Sequence, residues 1–194
     1  MSATNHSRLA ATLTVRCADT SDVDSVVALV NSAYRGDSSR AGWTTEADIL
    51  GGQRTDAEEV AQSITEAGSV FLLSVCDGET IGSVHLLRQD AGTAYLGMLV
   101  VKPGLQGRGL GSHLMDEAER FLMEQWGVSR LQMQVITLRE ELIAFYERRG
   151  FSRTGEFKPF PSGEPRFGLP KVPGLKFEVL EKSLGIARAR DADR

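Results

Sequence analysis

The chain has 194 residues, 41% of them apolar and 25% charged, with a formal net charge of −4. That size suits one domain with a real core; the acidic balance excludes a nucleic-acid grip, which needs surplus Lys and Arg facing phosphates; and no apolar run approaches the roughly 18 residues of a membrane span. Two cysteines, Cys17 and Cys76, with no CxxC or Cys/His grouping, imply neither a disulfide framework nor a metal site, and fit a reducing cytoplasm.

Residues 1–12 are polar, with neither a basic start nor an apolar run, and read as a flexible tail rather than a secretory signal. LTVRC (13–17) predicts a first strand. Ser21 with Asp24 forms a capping-box pattern, opening a helix whose apolar stripe is Val23, Val26, Val27, Val30 and Ala33. Residues 35–54 have glycines and no sustained period, which predicts a long loop with a short helix near Glu46–Leu50; such loops often carry function. Thr55 with Glu58 opens a second helix, with Val60 and Ile64 on its stripe and Gly68 past its end.

Three strands follow, VFLLSVC (70–76), TIGSVHLLRQ (80–89) and TAYLGMLVV (93–101). Tight turns at Asp77-Gly78 and Asp90-Ala91-Gly92 make them an antiparallel meander. Leu110, Leu114, Ala118, Phe121, Leu122 and Trp126 then line one face of a helix ended by Gly127, and LQMQVI (131–136) is the next strand. Strand, helix and strand in succession imply parallel pairing. Thr137 with Glu140 opens ELIAFYERR, closed by Gly150; FSRTGEF (151–157) and LKFEVLEKSL (175–184) are the last strands, on either side of a Pro/Gly-rich loop over 159–174. Residues 13–183 thus read as one domain and 184–194 as a polar tail.

Between the third meander strand and its helix stand Gly104, Gly107, Gly109 and Gly111. Glycines there let consecutive amides face outward at the positive end of a helix, an arrangement suited to phosphate; the same glycines also suit a plain turn. A P-loop is excluded because Ser112-His113 replaces the required Lys and hydroxyl pair, and a dinucleotide fingerprint fails because its third glycine is absent in either register.

Gln106-Gly107-Arg108-Gly109-Leu110-Gly111, after a Val101-Lys102-Pro103 strand exit, resembles the Gln/Arg-x-x-Gly-x-Gly/Ala signature of the GNAT superfamily of acyl-CoA-dependent N-acetyltransferases. Phe145-Tyr146-Glu147-Arg148-Arg149-Gly150-Phe151 is similar to that family's tyrosine-containing segment, in the right order and spacing. The resemblance spans roughly residues 13–183. It implies an α/β fold: a mixed, mostly antiparallel sheet of about six or seven strands, splayed at the centre and flanked by about four helices.

The resemblance further implies acetyl-CoA as co-substrate, with no metal, and transfer of an acetyl group to a primary amine of a small molecule or peptide by direct attack in a ternary complex. The different-class alternative is a non-catalytic acyl-CoA-binding or sensing module. Cofactor contacts would come from Leu99, Val100, Val101, Gln106, Gly107, Arg108, Gly109, Leu110, Gly111 and Ser112. Arg139 stands where many relatives have an asparagine and could reach a phosphate or a substrate carboxylate. Tyr146 would protonate the leaving thiolate; Glu46 and His85 are candidates for the base. Tyr34, Trp43 and Glu46 would line the acceptor pocket, an aromatic and acidic wall suiting a cationic amine, while Arg35 and Arg54 would equally suit a carboxylate. No nucleic-acid or membrane partner is expected, and the chain would be a monomer or a homodimer.

Overall fold

The computed structural model describes residues 13–162 and 168–185; the expected N-terminal tail, and the C-terminal tail from residue 186, lie outside them. Seven strands form one sheet: β1 (Thr14–Cys17), β3 (Ser69–Cys76), β4 (Glu79–Arg88), β5 (Thr93–Val101), β6 (Arg130–Ile136), β7 (Ser152–Pro159) and β9 (Lys176–Ser183), in the order β1-β3-β4-β5-β6-β9-β7. Among the described strands only β5 and β6 pair in parallel. A second, two-residue ladder joins β2 (Leu50–Gly51) to β8 (Leu169–Pro170). The helices are α1 (Val23–Tyr34), α2 (Gly36–Ser39), α3 (Ala57–Thr65), α4 (Leu110–Phe121) and α5 (Glu140–Arg148). This is the mixed α/β, mostly antiparallel architecture expected. No helix among the described residues is long and apolar enough to cross a membrane.

Alternation along the strands divides the core into two layers. Phe71, Leu73, Met98 and Val100 pack with Val26, Leu29, Val30 and Val60 of α1 and α3 on one face. Leu72, Val84, Leu96 and Leu99 pack with Leu114, Met115, Ala118, Ile143 and Tyr146 of α4 and α5 on the other. A third cluster, Leu50, Ile136, Phe160 and Leu175, sits beyond the end of β6, where the small ladder folds over.

The β3–β4 hairpin turns at Asp77 and Gly78, both left-handed (φ 51° and 80°), as two-residue hairpins of this twist require. α4 passes into a π-helical stretch, Leu122–Trp126, that ends at left-handed Gly127.

The expected helix starts shift. The first capping box uses Asp19 and Asp22 rather than Ser21 and Asp24, because extended Asp19 accepts from Ser21 N–H. At α3, Asp56 accepts from Glu59 N–H, and Thr55 instead donates its hydroxyl to Glu59 Oε2 at 2.8 Å. α5 starts after Arg139 with no side-chain cap; the amide of Thr137 is held by Lys176 O at 3.0 Å and continues the sheet. The short helix expected near Glu46–Leu50 is a single turn, Leu50 N–H to Glu46 O at 2.8 Å, ended by the pairing of Leu50 and Gly51 with β8.

Candidate active site

β5 is bulged. Ser83 pairs with Val100 and His85 with Gly97, so Val84 alone opposes both Met98 and Leu99, and Met98 takes a left-handed φ of 46°. A bulge adds local twist and bends its strand. The parallel pairing with β6 accordingly covers only Thr93–Tyr95 against Arg130–Gln132. Past that point the strands diverge, leaving the β6-facing edge of β5 without a partner strand among the described residues, and a cavity of about 500 Å³ opens between them. A second cavity, about 280 Å³, lies along the end of β5 and the glycine loop.

The smaller cavity is lined by Leu99, Val100, Val101, Gln106, Gly107, Gly109, Gly111 and Ser112, with Trp43, Thr44, Leu142, Phe145 and Tyr146 opposite. Gly107 and Gly109 stand at φ 76° and 82°, and a Cβ on either would meet no atom within 4 Å. The loop therefore faces open space. The first i→i−4 bond of α4 runs from His113 N–H to Gly109 O at 2.9 Å. The preceding amides of Leu110, Gly111 and Ser112 are thus helix-end donors with no intrahelical acceptor. These features fit a diphosphate: donors, the positive helix end and room.

Gln106 ties the loop together. Its Nε2 donates to Val101 O and to Thr44 Oγ1, both at 3.0 Å, and its Oε1 accepts from Trp43 N–H at 3.0 Å. A Cβ on Gly42 would stand 2.6 Å from Gln106 Oε1, so a bare backbone there lets the 42–44 segment close on the amide.

Tyr146 lines both cavities, as do Leu99 and Leu142. It projects from α5 between Phe145 and Phe151, ring centroids 5.3 and 5.8 Å away. Burial pushes its phenol well above the ordinary range, further raised by Tyr34 and opposed by Arg139, so the hydroxyl holds its proton at neutral pH.

The larger cavity carries more positive than negative charge. Arg35, Arg54, Arg139 and Lys158 line it against a single carboxylate, Glu46, among the described residues. Glu46 is 8% exposed and Arg35 5%. One Glu46 oxygen takes the Arg35 guanidinium and the other accepts from Arg139 Nη1 at 2.9 Å. Arg139 Nη2 also donates to Thr44 O at 2.6 Å. Glu46 N–H reaches Tyr34 O at 3.0 Å, and Tyr34 Oη donates to Leu99 O at 3.3 Å, so this wall of the larger cavity is stitched to β5. Tyr95 lies along β5 over Gly97, where a Cβ would stand 2.9 Å from its Cε1.

Of the residues singled out from sequence, the glycine loop, Gln106, Ser112 and Leu99–Val101 come together with Tyr146. Arg108 and Leu110 are not in the cavity wall. Arg139 faces the larger cavity and Glu46, away from the loop. Trp43, expected against the acceptor, stands instead in the glycine-loop cavity, 44% exposed and edge-on to Phe145 at 5.4 Å. His85 lines neither cavity. It stacks on Phe71 at 4.6 Å with Nε2 2.8 Å from Ser69 Oγ, and burial, aided by the Arg54 charge, holds its imidazole down to about 4. Lys158, Phe160 and Phe177, which complete the larger cavity, carried no motif; each is a strand-end or loop residue without a distinguishing neighbour pattern.

Known proteins converge on the same architecture. A mycothiol acetyltransferase of Beutenbergia cavernae is 40% identical over 76 residues, 39% of this chain and 25% of that protein, so the chain spans a minor part of that relative. Among solved structures, PaiA N-acetyltransferase from Thermoplasma acidophilum, in complex with coenzyme A, superposes with a TM-score of 0.64 at 17% identity, covering 89% of this chain and 99% of that one. Spermidine/spermine N-acetyltransferase SpeG from Vibrio cholerae gives 0.62 at 14%, covering 91% and 95%. The Acetyltransferase (GNAT) family profile matches residues 29–151, which include the bulged strand, the glycine loop and Tyr146, and the chain belongs to that family.

Proposed function

We propose that the chain is an acetyl-CoA-dependent N-acetyltransferase that acts on a primary amine of a small molecule or peptide by direct attack in a ternary complex. One observation carries this reading: Tyr146 stands in the wall shared by the glycine-loop cavity and the cavity between the splayed strands. A proton donor at that junction is where a leaving sulfur would need one.

Acetyl-CoA, when bound, supplies a thioester whose carbonyl carbon an amine nitrogen attacks: a C–N bond forms, the C–S bond breaks, the nitrogen gives up a proton and the sulfur takes one. The helix-end amides of residues 110–112 and the Gly107–Gly109 backbone hold the diphosphate. The free edge of β5 offers Leu99 and Val101 main-chain groups to the pantetheine arm, and an N–H near Leu99 or Val100 stabilises charge on the carbonyl oxygen. Tyr146, kept protonated by burial, donates at its hydroxyl. Glu46 has both oxygens engaged by guanidiniums and serves to anchor Arg35 and Arg139, while His85 stands outside the cavity; the amine's proton leaves through water in the open space.

Excess acetyl-CoA should raise the thermal midpoint, as any ligand of the folded state does, and thiol release should follow on an amine panel. Tyr146→Phe should lower kcat about tenfold or more, within the range for losing a general acid, with the acetyl-CoA Kd little changed. An unaltered kcat would remove Tyr146 from the chemistry. Stabilisation by acetyl-CoA without turnover of any amine would favour the binding module instead.

A further inference from the structure

We infer that the acceptor is an amino-carboxylic acid whose carboxylate pairs with Arg54 beside Tyr34, an inference that rests on the transferase reading above. The charge inventory of the larger cavity leads to it. Glu46 is shared between Arg35 and Arg139, and Lys158 has Glu156 at 3.7 Å. Arg54 has no carboxylate in ion-pair contact among the described residues, although its side chain lines the cavity. A half-buried guanidinium that faces the cavity with no ion-paired carboxylate among the described residues is a favourable place for an anion.

The backbone that carries Arg54 is held in position. Arg54 N–H donates to Asn31 Oδ1 at 2.6 Å, and Asn31 also takes Thr55 N–H at 3.3 Å and gives Nδ2 to Thr55 O at 2.9 Å. The segment is thereby pinned to α1. Arg54 Cζ lies 5.8 Å from the centroid of the Tyr34 ring, and Arg139 Cζ lies 6.0 Å from the same centroid. The Tyr34 hydroxyl touches Leu99 O on the strand that borders the glycine-loop cavity. Arg54 and the Leu99 end of β5 thus both contact Tyr34, one at the ring and the other at the hydroxyl. Burial raises the phenols of Tyr34 and Tyr95, and the Arg54 charge opposes the rise in both, so its field reaches the aromatic wall of the cavity. A polyamine would meet like charge here.

The test compares wild type and Arg54 variants on proteinogenic amino acids and β-alanine, each against its carboxamide, with spermidine included, by thiol release from acetyl-CoA. Amidation lowers the basicity of the amine and leaves more of it unprotonated, so intrinsic reactivity favours the amides; a preference for the acids must come from the protein. Wild type should prefer one or more acids over their amides in kcat/KM. Arg54→Gln should cut that acid-to-amide ratio by about ten- to a hundredfold, the worth of a hydrogen-bonded charge. Arg54→Lys should retain part of it, and Arg54→Glu should reverse it. Because the readout is a ratio within one protein, loss of folded enzyme cancels. If wild type acetylates amides or spermidine as well as acids, or if Arg54→Gln leaves the ratio unchanged, the carboxylate subsite is wrong and the transferase stands. If no amine yields thiol, the transferase reading fails and the inference falls with it.

Discussion

The two cavities that meet at Tyr146 are built from different materials. The glycine-loop cavity takes most of its wall from one continuous stretch, Leu99 to Ser112, and presents bare backbone: two left-handed glycines, helix-end amides and a strand edge. The larger cavity draws Tyr34 from α1, Glu46 and Arg54 from the long loop, Tyr95 from β5, Arg139 ahead of α5 and Lys158 from β7. It presents side chains held by buried charge. A backbone site binds a group common to many proteins and needs residues that stay out of the way. A side-chain site selects one ligand and must hold its charges in place.

If buried charge holds the wall of the larger cavity, removing Glu46, its single carboxylate among the described residues, should produce the largest change. Glu46→Gln removes the carboxylate that the guanidiniums of both Arg35 and Arg139 grip. Breaking a buried pair by deleting one partner costs about 3–5 kcal/mol, and at this chain length each kcal/mol shifts the midpoint by about 2–4 °C. Calorimetry should show a fall of about 10 °C. A variant melting within about 2 °C of the parent, less than 1 kcal/mol by the same scaling, would mean that packing rather than charge shapes this cavity.

The glycine loop should respond in affinity rather than stability. Gly109 has open space where a Cβ would go, so Gly109→Asp meets backbone strain but no clash, and it sets a negative charge in the space where a diphosphate fits. Two like charges about 4 Å apart near a protein surface repel by about 4 kcal/mol at an effective dielectric of 20. Acetyl-CoA affinity, read by calorimetric titration, should drop about a hundredfold or more. Gly109→Ala isolates the cost of the left-handed backbone, about 1–2 kcal/mol in the fold, and should bind acetyl-CoA far better than the aspartate variant. Equal binding by parent and Gly109→Asp would sink the diphosphate cradle.

That contrast also explains what could be read from the chain. Gly107, Gly109 and Gly111 are adjacent in sequence because one turn of backbone needs them together, and the order of strands and helices follows from hydrophobic period, so the loop and the meander were legible. The capping residues moved by one or two positions, since Asp19 and Asp56 compete with nearby hydroxyls for the same amides. Trp43 lines the glycine-loop cavity rather than the larger one, and Arg139, open from sequence to a phosphate or a carboxylate, lines the larger cavity. Which way each points is decided by Gln106 closing on the 42–44 segment and by Glu46 meeting Arg139 across a sequence separation of 93 residues. The splay of β5 and β6 accompanies the bulge at Met98, a left-handed residue that is not itself a glycine.

The smallest effect expected is also the most local, and it tests whether the acceptor wall works through side-chain position. Gly97 lies in β5 outside the left-handed region, so alanine there strains no backbone, yet its Cβ would stand 2.9 Å from Tyr95 Cε1 and push the ring off the strand. Overpacking of that kind costs about 1 kcal/mol at the low end, about fivefold in kcat/KM for the acceptor. The acetyl-CoA titration should not move, because neither Tyr95 nor Gly97 lines the glycine-loop cavity. Residues in contact couple, so the effect should vanish in a Tyr95→Ala background, where no ring remains to displace. A Gly97→Ala penalty that persists without the ring would shift the cause from the aromatic wall to the strand itself.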